Sequence, residues 1–441
     1  MTFVYTTATT LGLGLALSTL AAAGCTSKQA TAPAAASSAP ADSAAPSTAL
    51  PPSAPAIAFV ENDYPRALAE ARSRGVPLFI DAWAPWCHTC LSMRAYVFPD
   101  AALSPLAARF VWLAIDTERE ENAPVVERLG AKVLPTLYVV DAATETPRLA
   151  HPGSLTAPEL VRLLAPLGGA ASAPAPDAAV ETPEAIADRV TRLADAKQLA
   201  ACVTRGADAA PRMPAGTPLA DVLRAALGCA KDLPAGAPER ARLPELVAVG
   251  QRAVSDPALP ILADDRSDLY DYVVDSLHDL GRDDDAKHLA AAWVAFLEDR
   301  AARAPSPAAR VVFDAHRLLA YEAVGEPARA LPMLEASARD FPSDYNPPAR
   351  LGRALFDLKR YDDAIAALER AQSLAYGPRK LRLWSLEADV FVAKGDAAGA
   401  RRTLESAAAF AKTIPLTGGY PAFAAAMNAR LASMDAARPN R

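Results

Sequence analysis

Two cysteines separated by two residues, Cys87 and Cys90, carry the strongest chemical signal in this 441-residue chain. They follow the apolar run 76–83, typical of a buried strand, and they begin a segment of helical character. A thiol at a helix N-terminus ionises readily, because unpaired N–H groups and the helix dipole favour the thiolate. We therefore predict that Cys87 is a nucleophile and that Cys90 resolves the mixed disulfide it forms.

A zinc site is the other common use of such a cysteine pair. The chain has no second pair with this spacing and no two histidines at ligand spacing. Its histidines are scattered over the sequence at positions His88, His151, His278, His288 and His316. We expect no metal and no cofactor.

Two further residues belong with the pair. Asp81 interrupts an otherwise apolar strand, and a carboxylate is costly to bury there unless it has a task. Pro135 stands at the start of the second strand-like run, 133–140, a position where a sheet tolerates proline. Both strands are therefore expected beside the cysteines.

This combination resembles the thioredoxin superfamily over residues 57–168. Residues 83–90 look like the active-site strand and turn of that family, and 134–136 like its cis-proline loop, while Gly153 and 155–160 match its closing turn and last helix. The stretch 90–100 is most similar to the C-terminal periplasmic domain of membrane thiol-disulfide interchange reductases. The resemblance implies an α/β thioredoxin fold and protein disulfides as substrates.

The resemblance also implies roles for the neighbours of the pair. Asp81 would exchange a proton with Cys90. The backbone of Leu134, placed by a cis Pro135, would bind an extended substrate segment, and Trp86 would shield one side of the turn.

The residues between the cysteines, His88 and Thr89, should tune the redox potential. An imidazolium near Cys87 would stabilise its thiolate and raise that potential. The resemblance to the interchange reductase favours reduction instead. The direction of electron flow stays open, with a slight preference for a reductase or isomerase fed by a membrane electron donor.

The N-terminus resembles a bacterial lipoprotein signal. Residues 11–23 form an apolar run too short to span a bilayer, and small residues precede Cys25. We expect a signal peptide over 1–24, lipidation of Cys25 and an Ala/Pro/Ser-rich disordered tether over 25–56. Residues 1–10 carry no Lys or Arg, unlike most signals, so an ordinary cleaved signal and a soluble periplasmic or secreted protein remain the alternative.

Charge argues against one class of partner. The chain has 45 Lys and Arg against 51 Asp and Glu, and no basic stripe. Nucleic acid is therefore not expected as a partner.

After a Gly/Ala/Pro-rich linker at 169–184, helical periodicity dominates. We expect irregular helical hairpins over 185–264 and tetratricopeptide-like repeats over 265–435, because a small–Leu–small pattern recurs at spacings near 34 residues. The repeated positions are Ala330, Leu334 and Ser337; Ala364, Leu368 and Ala371; and Ala400, Leu404 and Ala407. A generic helical bundle is the alternative.

Cys202 and Cys229 form an even pair in a chain bound for an oxidising compartment. Cys202 is placed at the end of one helical run and Cys229 at the end of the run 219–230. We predict a structural disulfide between antiparallel helices; two buried unpaired cysteines or a second redox pair remain open.

Two functions follow. The first is an envelope thiol-disulfide oxidoreductase, membrane-attached through its lipid, whose repeats dock a partner protein. The second is an envelope scaffold whose repeats bind partners, dimerise the chain or rest on the cell-envelope lattice, with incidental redox activity.

Overall fold

The computed structural model describes residues 57–168 and 182–436. The expected signal peptide, the tether with Cys25 and most of the expected linker lie outside these residues. No helix in the described part combines the length and the apolarity needed to cross a bilayer.

The N-terminal part is a five-stranded mixed sheet with helices on both faces. Its strands are β1 (Phe59–Glu61), β2 (Leu78–Trp83), β3 (Val111–Asp116), β4 (Thr136–Val140) and β5 (Pro147–Pro152). Their order is β1-β3-β2-β4-β5, with β1, β3 and β2 parallel, and β4 antiparallel to both β2 and β5. This arrangement makes β2, the strand that leads to the cysteines, the central strand.

The alternation of β2 explains how its side chains are used. Leu78 and Ile80 point into the core on one face of the sheet, and Phe79 points into the core on the other. All three side chains are fully buried, which contributes about 1.5–3 kcal/mol each. By the same alternation Asp81 and Trp83 share the face of Phe79.

Short helices complete this part. They are α1 (Tyr64–Arg74), α2 (His88–Ser92), α3 (Ala123–Leu129) and α4 (Ala157–Leu164), with a π-helix at Met93–Val97 and 3₁₀ turns at Ala101–Arg109 and Glu120–Asn122. The π-helix continues α2 without a break. The cysteine turn is thus carried by a strand on one side and a two-part helix on the other.

The C-terminal part is all helical. Its first helices are α5 (Pro183–Asp195), α6 (Leu199–Ala209), α7 (Thr217–Asp232), α8 (Leu243–Ser255), α9 (Ala263–Asp279), α10 (Asp283–Ala302) and α11 (Pro307–Val311). They continue as α12 (Asp314–Ala323), α13 (Ala330–Asp340), α14 (Asn346–Asp357), α15 (Tyr361–Leu374), α16 (Lys380–Lys394), α17 (Ala397–Phe410) and α18 (Tyr420–Ala436). Short 3₁₀ turns lie at Ala210–Arg212, Pro238–Arg242 and Pro327–Arg329. The fold class expected from the sequence, an α/β module followed by an all-α module, is confirmed.

The recurring small–Leu–small positions lie on α13, α15 and α17, and all nine side chains are buried. Small residues are needed where paired helices approach closely. A Cβ on Gly352 of α14 would lie 2.7 Å from the Leu368 side chain of α15, a distance that real Cβ atoms do not show. The repeat pattern therefore records helix–helix contacts.

The two helical stretches expected from the sequence are less separate than predicted. The boundary after residue 264 falls inside α9, and one continuous core runs from Ala187 on α5 to Ala354 on α14. All described residues belong to one compact unit. The helical part therefore packs as a single body with the sheet.

Candidate functional site

The cysteine turn closes directly after β2. Cys87 caps the N-terminus of α2, and its Sγ accepts a hydrogen bond from the backbone N–H of Cys90 at 3.1 Å. The two residues are joined by a disulfide, with their Cα atoms 5.2 Å apart. An N–H aimed at this sulfur would stabilise a Cys87 thiolate once the bond is reduced.

The proline loop lies against this turn. The Leu134–Pro135 peptide bond is cis, and the Leu134 side chain packs on the buried cluster of Ala84, Cys87 and Cys90. The Pro135 carbonyl accepts a hydrogen bond from the Gly153 N–H at 2.8 Å, which ties the loop to the strand behind it. The structure thus brings together the two segments that the sequence paired only by resemblance.

Asp81 is fully buried, and neither carboxylate oxygen has a hydrogen-bond donor. Its nearest charge is the Arg94 guanidinium at 3.8 Å, which also stacks on the Trp83 ring at 4.3 Å. Burial raises the pKa of Asp81 to about 7, against the opposing effect of Arg94, and Glu61 adds to the rise. A carboxyl with this pKa can take or give a proton at neutral pH.

The residues between the cysteines are held by the helical part. Asp264, in the first turn of α9, lies 2.9 Å from His88 Nδ1 and accepts a hydrogen bond of 2.9 Å from Thr89 Oγ1. His316 on α12 lies 3.0 Å from Asp264 and 3.1 Å from His88 Nδ1. One buried carboxylate therefore contacts both residues that separate the cysteines.

These contacts shift the charges of the cluster. Burial works against an imidazolium at His88, but the carboxylates of Asp264 and Asp268 outweigh it and raise the pKa of His88 to about 9. Burial likewise opposes a charge on Asp264, yet the His88 and His316 rings hold its pKa well below its usual range. The side of the turn that carries His88 is therefore strongly polar.

Trp86, on the other side of the cysteine turn, is held by Glu118 and Arg379. Its indole N–H donates to Glu118 at 2.8 Å, and the Arg379 guanidinium stacks on its ring at 4.7 Å. Glu118 also accepts hydrogen bonds from the Arg379 backbone N–H and the Tyr420 hydroxyl, at 2.8 and 3.2 Å. Asn346 of α14 donates to the Pro85 carbonyl at 3.1 Å.

These contacts cover the cysteines. The exposed fraction of Cys87 is 5%, and Cys90 is fully buried. Helices α9, α12, α14 and α18, with the turn before α16, contact residues that flank the pair or bind its neighbour Trp86, and little of Cys87 is exposed to solvent.

Cys202 and Cys229 are also joined by a disulfide, with Cα atoms 6.3 Å apart. The predicted placement of Cys202 at the end of a helical run is wrong, because it lies in the first turn of α6. Cys229 lies in the last turn of α7. A bridge from the start of one helix to the end of the next suits antiparallel packing.

Sequence reasoning missed the residues that the helical part contributes. They are Asp264, His316, and the Arg379 and Tyr420 that contact Glu118. The acidic pair at 264–265 reads as ordinary helix N-terminal charge. The one available signal was chemical: His316 falls between the apolar positions Phe313 and Ala320, which share its side of the helix.

Comparison with known proteins agrees with the two modules. Residues 59–142 match the thioredoxin-like family, and residues 322–379 match the tetratricopeptide repeat family. Over 93 residues the chain is 30% identical to the thiol:disulfide interchange protein DsbD of Pseudoalteromonas atlantica (strain T6c / ATCC BAA-1087). The match covers 20% of this chain and 16% of that relative.

Among solved structures, a thermophilic tetratricopeptide repeat protein of Thermus thermophilus is 17% identical at a TM-score of 0.28, covering 45% of this chain and 92% of its own. A tetratricopeptide repeat protein from Parabacteroides merdae ATCC 43184 is 11% identical at a TM-score of 0.27, covering 57% and 98%.

The fold, the cysteine pair and the family match define residues 59–142 as a thioredoxin-like domain. More particularly, this chain joins a thioredoxin-like domain to tetratricopeptide-like repeats, a combination that fits a thiol oxidoreductase.

Proposed function

We propose that this protein is a thiol-disulfide oxidoreductase of the bacterial cell envelope that reduces or isomerises protein disulfides. The observation that carries the proposal is the Cys87–Cys90 pair at the start of α2 beside the cis Leu134–Pro135 bond. The localisation rests on the lipoprotein-like segment that ends at Cys25.

In the proposed reaction the reduced Cys87 thiolate attacks a substrate disulfide. A bond forms between Cys87 and one substrate sulfur, and the other substrate sulfur leaves as a thiolate. Cys90 then passes its proton to Asp81 and attacks the Cys87 sulfur, which releases the second substrate thiolate. Two electrons move to the substrate, and the pair is left as a disulfide.

Renewal of the pair needs a donor of two electrons. We propose a membrane-bound dithiol, because the lipid anchor would keep the pair near the bilayer. The same exchange run backwards then reduces Cys87 and Cys90.

The helices over the pair support a role for the repeats in selecting clients. Because Cys87 is 5% exposed, exchange requires the helical part to move away or to admit an extended segment beside Leu134. A partner bound to the repeats would bias that opening.

The test is reduction of insulin disulfides by the full chain and by its Cys87→Ser variant. We expect the variant to lose turnover, while a Cys202→Ser/Cys229→Ser double variant keeps it. Equal turnover by wild type and Cys87→Ser would refute the enzymatic proposal. Clients trapped on a Cys90→Ser variant would identify the substrates.

The scaffold is the second candidate, and one observation favours it: the helical part is bonded to Glu118 and Thr89, on both sides of a Cys87 that is little exposed. In that case the thioredoxin-like domain is an adaptor, and its contacts with the repeats keep the cysteine pair from reacting. Partners that bind the full chain non-covalently while Cys87 and Cys90 stay unreactive would support this candidate.

A further inference from the structure

Three metal-ligating groups from three separate helices converge beside the cysteine turn. They are His88 Nδ1 of α2, His316 Nε2 of α12 and the carboxylate of Asp264 on α9. Asp264 Oδ2 lies 2.9 Å from His88 and Oδ1 lies 3.0 Å from His316, while the two ring nitrogens are 3.1 Å apart, so the groups close a triangle. Asp264 and His316 are buried, and the His88 side chain is 32% exposed.

Protons alone leave one side of this triangle without a hydrogen bond. Each of the two ring nitrogens carries at most one hydrogen at that position, and the carboxylate accepts only. When each ring N–H donates to one oxygen of Asp264, all three groups have a partner. The two N–H groups then face each other with their nitrogens 3.1 Å apart, which is an unfavourable contact.

A metal ion satisfies all three groups at once, because each one offers it a lone pair. Zn²⁺ binds nitrogen and oxygen at about 2.0–2.2 Å, which sets neighbouring donors of a tetrahedral site about 3.3 Å apart. The observed spacing is within a few tenths of an ångström of that value. Two imidazoles and a carboxylate are also a donor set suited to zinc and similar ions.

Asp268 on α9 lies near enough to the two histidines to act as a fourth donor. Asp268 Oδ1 lies 3.9 Å from His316 Nε2, and ligand atoms of His88, Asp268 and His316 lie within 4.8 Å of one another. The other oxygen of Asp268 is held by Arg224 at 2.9 Å. This outer contact orients the carboxylate with its Oδ1 toward the histidines.

We propose that His88, Asp264 and His316, with Asp268 as fourth donor, bind one Zn²⁺-class divalent ion. The ion ties the cysteine turn to α9 and α12 and so locks the helical part over the redox pair. Binding of the ion does not depend on the proposed redox function, whereas the lock rests on it, and the site departs from the sequence-based expectation of no metal.

The test uses the full chain with both disulfides intact and Co²⁺ as a spectroscopic probe for Zn²⁺. We expect one equivalent to bind, with the visible bands of a four-coordinate nitrogen–oxygen site, and Zn²⁺ to displace it. His316→Gln should weaken binding by at least the ~10–100-fold that loss of an outer-sphere partner costs. The matched control His288→Gln, at an exposed position of α10, should bind as wild type does.

Several outcomes would overturn the site. They are no stoichiometric binding by the wild type, a thiolate charge-transfer band that places the ion on Cys25, or equal affinity in His316→Gln. If His316→Gln does not fold by circular dichroism, His88→Gln at the partly exposed corner gives the same comparison. Zn²⁺ should also slow reduction of the Cys87 disulfide by a phosphine in wild type and not in the variant, and an equal rate counts against the lock.

Discussion

Replacing Asp81 by Asn should stabilise the protein while slowing its chemistry. In the folded chain the pKa of this carboxyl is raised from 3.8 to about 7 by burial. That rise in pKa corresponds to ~4 kcal/mol of folding free energy that is lost when the group ionises. Asn is neutral and of the same shape, so the variant does not bear this cost.

The sign follows from which state binds the proton. Below about pH 4 the carboxyl is protonated in both states, and its full contribution to stability is present. Between about pH 4 and 7 the unfolded chain releases its proton first, so the free energy of unfolding falls by about 1.4 kcal/mol per pH unit. Above about pH 7 the loss is complete.

We therefore expect Asp81→Asn to exceed wild type by about 1–2 kcal/mol at pH 5 and by up to ~4 kcal/mol at pH 8. Denaturant unfolding of the oxidised protein at both pH values measures this difference. Release of substrate from the mixed disulfide, followed by stopped flow, should slow by about 10²–10⁴-fold, because the variant has lost the base for Cys90.

Asp284→Asn, at an exposed position of α10, is the matched control and should leave both quantities unchanged. A variant less stable than wild type at pH 8 would refute the burial argument. An unchanged release rate would refute the base role. If Asp81 only supported the structure, Asp81→Asn would lower both the free energy of unfolding and the rate of substrate release.

Three further changes test the contacts of Glu118 beside the cysteine pair, the helical repeats and the second disulfide. Glu118→Ala removes the acceptor shared by Trp86 and the helical part, so alkylation of reduced Cys87 should speed up at least ~10-fold, measured by mass shift. Gly352→Ala forces a Cβ against the side chain of α15 and should lower the free energy of unfolding by about 1–3 kcal/mol. Cys202→Ser/Cys229→Ser opens a bridge with a sequence separation of 27 residues and should lower it by about 3–4 kcal/mol in denaturant.

Each change has a control or a contrary result. Glu120→Ala, an exposed neighbour, should leave alkylation of Cys87 at the wild-type rate. Gly236→Ala meets no atom within 4 Å and should be neutral. Faster alkylation in both glutamate variants, or equal losses in both glycine variants, would contradict the contacts described. A stability difference between the double serine variant and wild type that persists under reducing conditions would locate the effect in packing instead of the bridge.

Local pattern was enough to predict β2, β4, the cysteine turn and the paired helices. The run before Cys87 forms β2, Pro135 precedes β4, and the residues spaced near 34 positions are buried where helices pair. Such features follow from neighbours in sequence, whose periodicity reports burial.

The partners of the site could not be predicted in the same way. Asp264 and Glu118 act through contacts with residues far away in the chain, and no spacing rule connects such positions. Cys202 was misplaced because Ala-rich segments around it continue the helical pattern without a marked start. Tertiary packing, which single-sequence patterns do not encode, decided these details.

The closure of late helices over an early turn has a consequence for biosynthesis. Roughly 350 residues follow Cys90, and at about 5–20 residues per second their translation takes tens of seconds. During that interval no helix packs beside the two thiols, since α9 through α18 have not yet been synthesised. Both thiols therefore stay accessible until the late helices have formed, and the oxidation state of the pair at that moment is the one that the packed helical part encloses.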